Sequence, residues 1–271
     1  MARAISQDDY IPDIYEDLMA APGPGGFFVA EQGGQVIACH CLQLTGQEDA
    51  YLWAMRVHPG LQGRGIGTML CRAQVEQARA MGRGNVYLIS DVQNLRAHRT
   101  VMKNGFANLG PWIIYEELTP AQLPSPQRVR EGRVGDLPLA RSFHHLHTSS
   151  RLGNVIASLG DPWGVRTMRA DDWNPAEMAV IRGTHGVEGL LLYHLSPEAM
   201  QVRLLEGNRE TSAELLAYAG IKAATYGCRS WVISIPAEAE ELLAPLRLDP
   251  TKAHRFYVFC LHAGIEPPRV E

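Results

Sequence analysis

Seven residues, Gln62-Gly63-Arg64-Gly65-Ile66-Gly67-Thr68, constrain this chain more than any other stretch. They follow the strand-like run Tyr51–Val57. They precede Thr68–Met81, whose apolar side chains at 69, 70, 73, 75 and 78 predict a helix closed by Gly82. Glycines at a strand-to-helix junction let the backbone approach a ligand closely and turn its N–H groups toward one point. The helix N-terminus adds a partial positive charge, so the junction is suited to an anion such as a pyrophosphate. Arg64 adds a charge-assisted hydrogen bond.

Nucleotide loops of other kinds fit less well. A Walker loop ends in GK[ST], and this segment has no lysine. A dinucleotide fold needs GxGxxG in a βαβ unit, whereas the spacing here is GxGxG after strands that read as antiparallel. A tight turn without a ligand is the plain alternative. Coenzyme A is the remaining reading, and two motifs carry it.

The first is V-x-P-x-x-Q-G-x-G-x-G, formed by Val57, Pro59, Gln62, Gly63, Gly65 and Gly67. The second is Asn94-Leu95-Arg96-Ala97-His98-Arg99 followed by Lys103-Asn104-Gly105-Phe106. The first resembles motif A of the GNAT superfamily of N-acetyltransferases, and the second resembles that family's NxxAHR…KxGF helix. With the strand order, the resemblance covers about residues 3–118. It implies a mixed, mostly antiparallel sheet flanked by helices, whose fourth and fifth strands splay apart around the pantetheine arm of acetyl-CoA. It places the backbone of Met55 and Val57 against pantetheine, and the pyrophosphate on Gln62, Gly63, Arg64, Gly65, Ile66, Gly67 and Thr68. Asn94 lines the gap, and His98 stands on the same helix face as a proton donor, a phosphate contact or a plain surface histidine. The implied reaction is direct attack of an amine on the thioester carbonyl in a ternary complex. A strand N–H then stabilises the developing oxyanion, and alignment of the reactants supplies much of the rate.

The catalytic residues stay unassigned. Where the family often carries a tyrosine to protonate the leaving thiolate, this chain has Val101. The family's strand carboxylate is missing from Tyr51-Leu52-Trp53-Ala54-Met55, which leaves Glu48, Asp49 and Asp91 as candidates acting through water. These gaps keep a second reading open, a non-catalytic acyl-CoA-binding or sensor protein.

Three prolines, Pro120, Pro124 and Pro126, mark 119–127 as an extended linker. It divides a first domain, 1–118, from a second, 128–271. Before the glycine loop, SQDD at 6–9 offers N-cap chemistry, and Gly33-Gly34 marks a hairpin between two strands. Arg3 already sits at the end of the family's first strand. The second half echoes this order: Arg130 and Asp136 stand in the places of Arg3 and Asp9, and AYAGIKAATYGCRSWVISI follows RAQVEQARAMGRGNVYLIS in helix, glycine and strand. The fold class expected is therefore α/β (α+β), two tandem GNAT-like domains, the second degenerate. Extra material at about 148–178 reads as irregular. In place of the glycines stands EGNRETSAEL, whose glutamates repel phosphate, so this half is expected to bind no coenzyme A. KAHRFYVF at 252–259 reads as a terminal strand.

Composition bounds the rest. Across 271 residues the net charge is −4, giving no basic footprint for nucleic acid. No apolar run approaches a membrane span, and the N-terminus lacks the apolar core of a signal peptide. Five cysteines without a CxxC pair suit reduced thiols in a cytoplasm. His144, His145 and His147 offer too few ligands for a metal, and Cys39-His40-Cys41 reads as buried strand residues. Trp53, Trp163 and Trp173 read as core. The expected partners are acetyl-CoA and an amine acceptor, in a monomer or homodimer.

Overall fold

A computed structural model describes residues 9, 11–20, 25–45, 48–118, 123, 125–147 and 151–262. By contacts the chain forms two compact units, residues 1–108 with 258–271, and residues 109–257. Each is a mixed α/β unit whose sheet is mostly antiparallel, the expected class.

The first unit contains α1 (Ile11–Ala20), β1 (Gly26–Gln32), β2 (Gln35–Thr45), β3 (Asp49–Val57), α2 (Ile66–Ala80), β4 (Asn85–Asp91) and α3 (Leu95–Lys103). The strands lie in the order β1-β2-β3-β4. Gly33 and Gly34, at φ 58° and 77°, turn β1 into β2 between Gln32 and Gln35. Paired positive φ values match the right-handed twist of a hairpin, which is why two glycines stand there. β3 returns antiparallel to β2, and α2 then crosses over to place β4 parallel to β3. Val258–Leu261 are buried in this unit, and His262 Nδ1 lies 2.6 Å from Asn85 Oδ1 of β4. At the N-terminus of α1, the Ile11 N–H donates to Asp9 Oδ1 at 3.1 Å, and Arg56 Nε donates to Asp9 Oδ2 at 2.7 Å. Burial raises the Asp9 carboxyl, but the Arg56 and Ile11 hydrogen bonds outweigh it and hold it below its ordinary value. The rest of the SQDD cap and Arg3 lie outside the described residues.

The second unit contains most of β5 (Ala107–Leu118), then β6 (Val129–Glu131), α4 (Leu137–His147), β7 (Val155–Ser158), β8 (Asp161–Thr167), β9 (Met178–Gly183), β10 (Gly186–Leu195), β11 (Ala199–Glu206), α5 (Arg209–Tyr226), β12 (Ser230–Pro236) and the start of β13 (His254–His262). Its sheet runs β5-β12-β11-β10-β9-β6. Here too three antiparallel strands, β9 to β11, lead through a helix to a parallel strand. The repeated order read from the sequence is present, and the KAHRFYVF segment is a strand from His254 onward. The linker residues 119–122 and 124 lie outside the described set. Beyond them, the Gln127 and Arg128 N–H groups both donate to Glu214 Oε2, at 2.8 and 2.9 Å.

One expectation is corrected. The stretch at 148–178, read as irregular, contains the β7–β8 hairpin, turning at Leu159-Gly160 with Gly160 at φ 71°. A four-residue apolar strand, Val155-Ile156-Ala157-Ser158, is too short for its period to be read from sequence. After β8 the chain is clamped: Arg166 grips Asp172 through both guanidinium nitrogens, at 2.7 and 2.6 Å, and the Arg169 N–H donates to the same carboxylate at 2.9 Å. Arg130, Arg133 and Asp136 make the same clamp after β6 with the same spacing, R-x-x-R-x-x-D. Arg203 of β11, 2% exposed, adds a second guanidinium to Asp172 at 2.6 Å.

Candidate active site

In the first unit β3 and β4 touch over three pairs alone, Asp49↔Asn85, Ala50↔Val86 and Tyr51↔Tyr87. Beyond Tyr51 no further β3–β4 pair follows, and the two parallel strands part. A bulge accompanies the parting. Cys39 pairs with Arg56 and Cys41 with Trp53, so Ala54 and Met55 together oppose His40. Ala54 adopts φ 56°, a left-handed conformation that an alanine holds only under constraint from its surroundings. Ala54 packs in a cluster with Ile11 and Cys41, flanked by Phe27 and Trp53, which supplies that constraint.

The glycine loop lies where β3 ends. His58 Nδ1 accepts from the Gly60 N–H at 3.2 Å, closing a short turn over Pro59–Leu61. Gly63 and Gly65 both adopt φ 81°, and Gly65 is the N-cap of α2 with no side chain bonded to the helix end. No acidic residue occupies the first turn of α2. A Cβ on Gly63 or Gly65 would meet nothing within 4 Å. One on Gly67 would meet the Thr100 and Val57 methyls at 3.8 Å, an ordinary contact. Internal packing therefore does not demand the third glycine, although glycine in a helix is less favourable than alanine. A backbone left bare at an uncapped helix N-terminus is a cradle of the right kind for a phosphate.

Of the expected site residues, the structure brings Gln62, Gly63, Arg64 and Gly65 into one loop after Val57 and Ile66, Gly67 and Thr68 into the first turn of α2. Gln62 is a latch: its Nε2 donates to the Val57 carbonyl at 3.1 Å, and its Oε1 accepts from Arg96 Nη1. Met55 O accepts from Arg56 Nη1 at 3.2 Å. Asn94 is the N-cap of α3 and accepts the Ala97 N–H at 3.1 Å, so its side chain shapes the turn after β4. His98 is turned inward and 8% exposed, its Nε2 2.9 Å from the Asp91 carbonyl and its ring against Phe259. Arg96, not singled out in the sequence, is carried to the loop by its bond to Gln62. Only the folded α3–loop contact reveals it.

Two of the three carboxylate candidates, Asp49 and Asp91, are engaged. Asp49 is 0% exposed and accepts from Asn85 Nδ2 at 3.0 Å, while Asp91 Oδ1 accepts the Gln93 N–H at 2.7 Å. Val101 is 1% exposed in the core. Cys39 and Cys41 are buried as expected, and burial pushes the Cys41 thiol up to about 12. His40 stacks on Phe28 on the other side of β2, and burial lowers it to about 4, so it is neutral. Trp173 is core, whereas Trp163 Nε1 donates to Glu116 at 2.8 Å. No helix among the described residues is long and apolar enough to cross a membrane.

The second unit treats the same junction differently. Asn208 caps α5, accepting the Glu210 and Thr211 N–H groups at 2.9 and 3.0 Å, while Thr211 Oγ1 accepts the Asn208 N–H at 2.9 Å. Arg128 bridges Glu210 and Glu214 at 2.7 Å each. Two of the N-terminal donors that would meet a phosphate are already satisfied, and Glu210 and Glu214 stand beside them.

Comparison with known proteins agrees with this geometry. Residues 3–106 match the Acetyltransferase (GNAT) family. Mycothiol acetyltransferases of Streptomyces avermitilis and Streptomyces bingchenggensis are 33% and 29% identical over 103 and 107 residues. These alignments cover 37% and 38% of this chain and 33% and 35% of those proteins, so the chain spans about a third of the length of the curated relatives it matches. A GCN5-related N-acetyltransferase from Sphaerobacter thermophilus has the same fold, with TM-score 0.57 and 15% identity, covering 100% of this chain and 93% of that one. Residues 3–106 of this chain are a domain of the GNAT acetyltransferase family.

Proposed function

We propose that the chain transfers the acetyl group of acetyl-CoA to an amine, with the coenzyme held by the first unit. The observation that carries this reading is the bare, uncapped start of α2 at the open side of the parted strands β3 and β4. The loop from Gln62 to Thr68 would hold the pyrophosphate through its N–H groups, with Arg64 and Arg96 adding positive charge. The β3 edge at Met55 and Val57, which β4 does not pair, would bond the pantetheine amides as a neighbouring strand does, in exchange for the Arg56 and Gln62 bonds now on those carbonyls. Asn94 and His98 would border the gap by fixing the turn between β4 and α3. The coenzyme supplies an activated thioester. The bulge at Ala54 re-aims the β3 backbone, so an N–H there can stabilise negative charge on the carbonyl oxygen. Val101 cannot donate a proton, so the thiolate departs unaided or takes its proton from water. The mycothiol acetyltransferase relatives align over a third of their length, and the acceptor class proposed here is the general one, an amine.

A second reading, an acyl-CoA-binding sensor without turnover, is favoured by Val101 and by the engagement of Asp49 and Asp91. Calorimetry with acetyl-CoA on the full chain tests the shared premise, and absence of binding at millimolar coenzyme sinks both readings. Given binding, thiol release in the presence of an amine panel marks an enzyme, and none marks a sensor. Gly65→Asp places a charged side chain on a φ 81° position at the helix end and should abolish binding. Unchanged affinity would move the coenzyme elsewhere.

A further inference from the structure

The second unit repeats the parting of parallel strands without the phosphate cradle, and its gap is lined differently. β11 and β12 pair from Ala199↔Ser230 to Val202↔Ile233. Beyond that point they border a cavity of about 270 Å³. Its inner surface is apolar, formed by Leu152, Val155, Leu204 and Leu242. Its polar groups are His144 and His147 of α4, Glu206 of β11, and Glu238 and Glu241 at the exposed mouth.

Hydrogen-bond accounting gives this cavity a sign. His144 Nδ1 lies 2.6 Å from Glu206 Oε1, and its Nε2 lies 2.7 Å from the Gly153 carbonyl. Both ring nitrogens face acceptors, so both carry protons, and the imidazolium neutralises Glu206. Burial pulls the His144 pKa down, but the Glu206 bond and charge outweigh it and leave the value raised. His147 Nδ1 lies 2.9 Å from the Phe143 carbonyl and donates to it. Glu238 and Glu241 are acceptors. Among the described lining residues there is no lysine or arginine. With Glu206 paired to His144, the cavity is left with two further carboxylates, Glu238 and Glu241, over an apolar floor.

We infer that the second unit binds a small primary ammonium compound with a compact apolar body, in the gap between β11 and β12. At roughly 30 Å³ per water the space equals about nine waters, enough for a ligand on the order of ten non-hydrogen atoms such as phenethylammonium. Coenzyme A is too large and too negative for it. The inference rests on the second unit alone and stands whether or not the first unit transfers acetyl groups.

The test is calorimetry of the full chain with phenethylamine, and with phenylacetate as the anionic analogue of similar shape. The amine should bind with one site per chain and phenylacetate should not. Glu238→Gln with Glu241→Gln, both at exposed positions, should weaken amine binding roughly tenfold. Ala239→Trp, which fills the cavity from its rim, should abolish it while thermal unfolding stays cooperative. Ala239→Trp should leave acetyl-CoA binding unchanged, which separates this site from the coenzyme loop of the first unit. Failure of the amine to bind, equal binding of amine and carboxylate, or binding that survives Ala239→Trp would each overturn the inference.

Discussion

Gly67 separates packing from ligand binding at a single residue. Its missing Cβ answers no steric need inside the protein, since the nearest methyls would sit 3.8 Å away. Gly67→Ala should therefore raise stability by about 0.5 kcal/mol through helix propensity. The same methyl narrows the phosphate approach, so affinity for acetyl-CoA should fall. A variant with a raised Tm and unchanged affinity would show that nothing approaches that backbone. Arg96 makes the complementary case. Arg96→Met removes the charge that Gln62 holds at the loop, and the weakening of coenzyme binding should shrink as salt is added. A loss that does not change with ionic strength would argue for packing instead. His144 is the pH-sensitive residue of the second unit. Its pKa is raised in the folded protein, so its pairing stabilises fully below the unfolded value of 6.5 and is lost as pH rises through the folded value. The stability gap between the wild type and His144→Gln should accordingly be larger near about pH 5.5 than near about pH 9. Equal gaps at both would mean that His144 stays neutral.

At the level of elements, the two helix starts explain how one order of strands and helices yields opposite chemistry. α2 begins at Gly65 with its donors uncapped, while α5 begins at Asn208 with a reciprocal capping box. Asn208→Ala should cost the second unit about 1 kcal/mol, measured by denaturant unfolding, without creating affinity for phosphate. Glu210 and Glu214 still oppose an anion there. The arginine clamps are the other recurring device. Asp172 takes guanidinium groups from Arg166 and Arg203, both nearly inaccessible, so Asp172→Ala strands two buried cations and should destabilise by about 3–5 kcal/mol. Asp136 serves the half-exposed Arg130 in the same pattern, and Asp136→Ala should cost visibly less. Equal costs would mean that burial does not decide the strength of the clamp.

At the level of the molecule, what was legible depended on whether the signal was local. The Gly33-Gly34 turn lies where residue chemistry within a few positions puts it, and α2 starts at Ile66, two residues before the expected Thr68. Arg130 and Asp136 stood out in the sequence as an echo of Arg3 and Asp9, but the matching clamp around Asp172 was hidden inside a stretch read as irregular. Arg96 on Gln62, His98 on the Asp91 carbonyl and His144 on Glu206 join residues 34, 7 and 62 positions apart, and no periodicity announces such contacts. The hidden pairings also decide how many coenzymes the chain takes. Two parallel strand pairs part in the structure, which by itself would suggest two coenzyme sites. Only the first pair ends at a bare helix start. The second ends at a capped one, and its gap carries glutamates in place of donors. Titration of the full chain with acetyl-CoA should therefore saturate at one equivalent, and Gly65→Asp should remove all of the binding. A second equivalent, or half the heat surviving in that variant, would mean that the capped start of α5 opens for the ligand. The Asn208 box would then be a gate on a second coenzyme site.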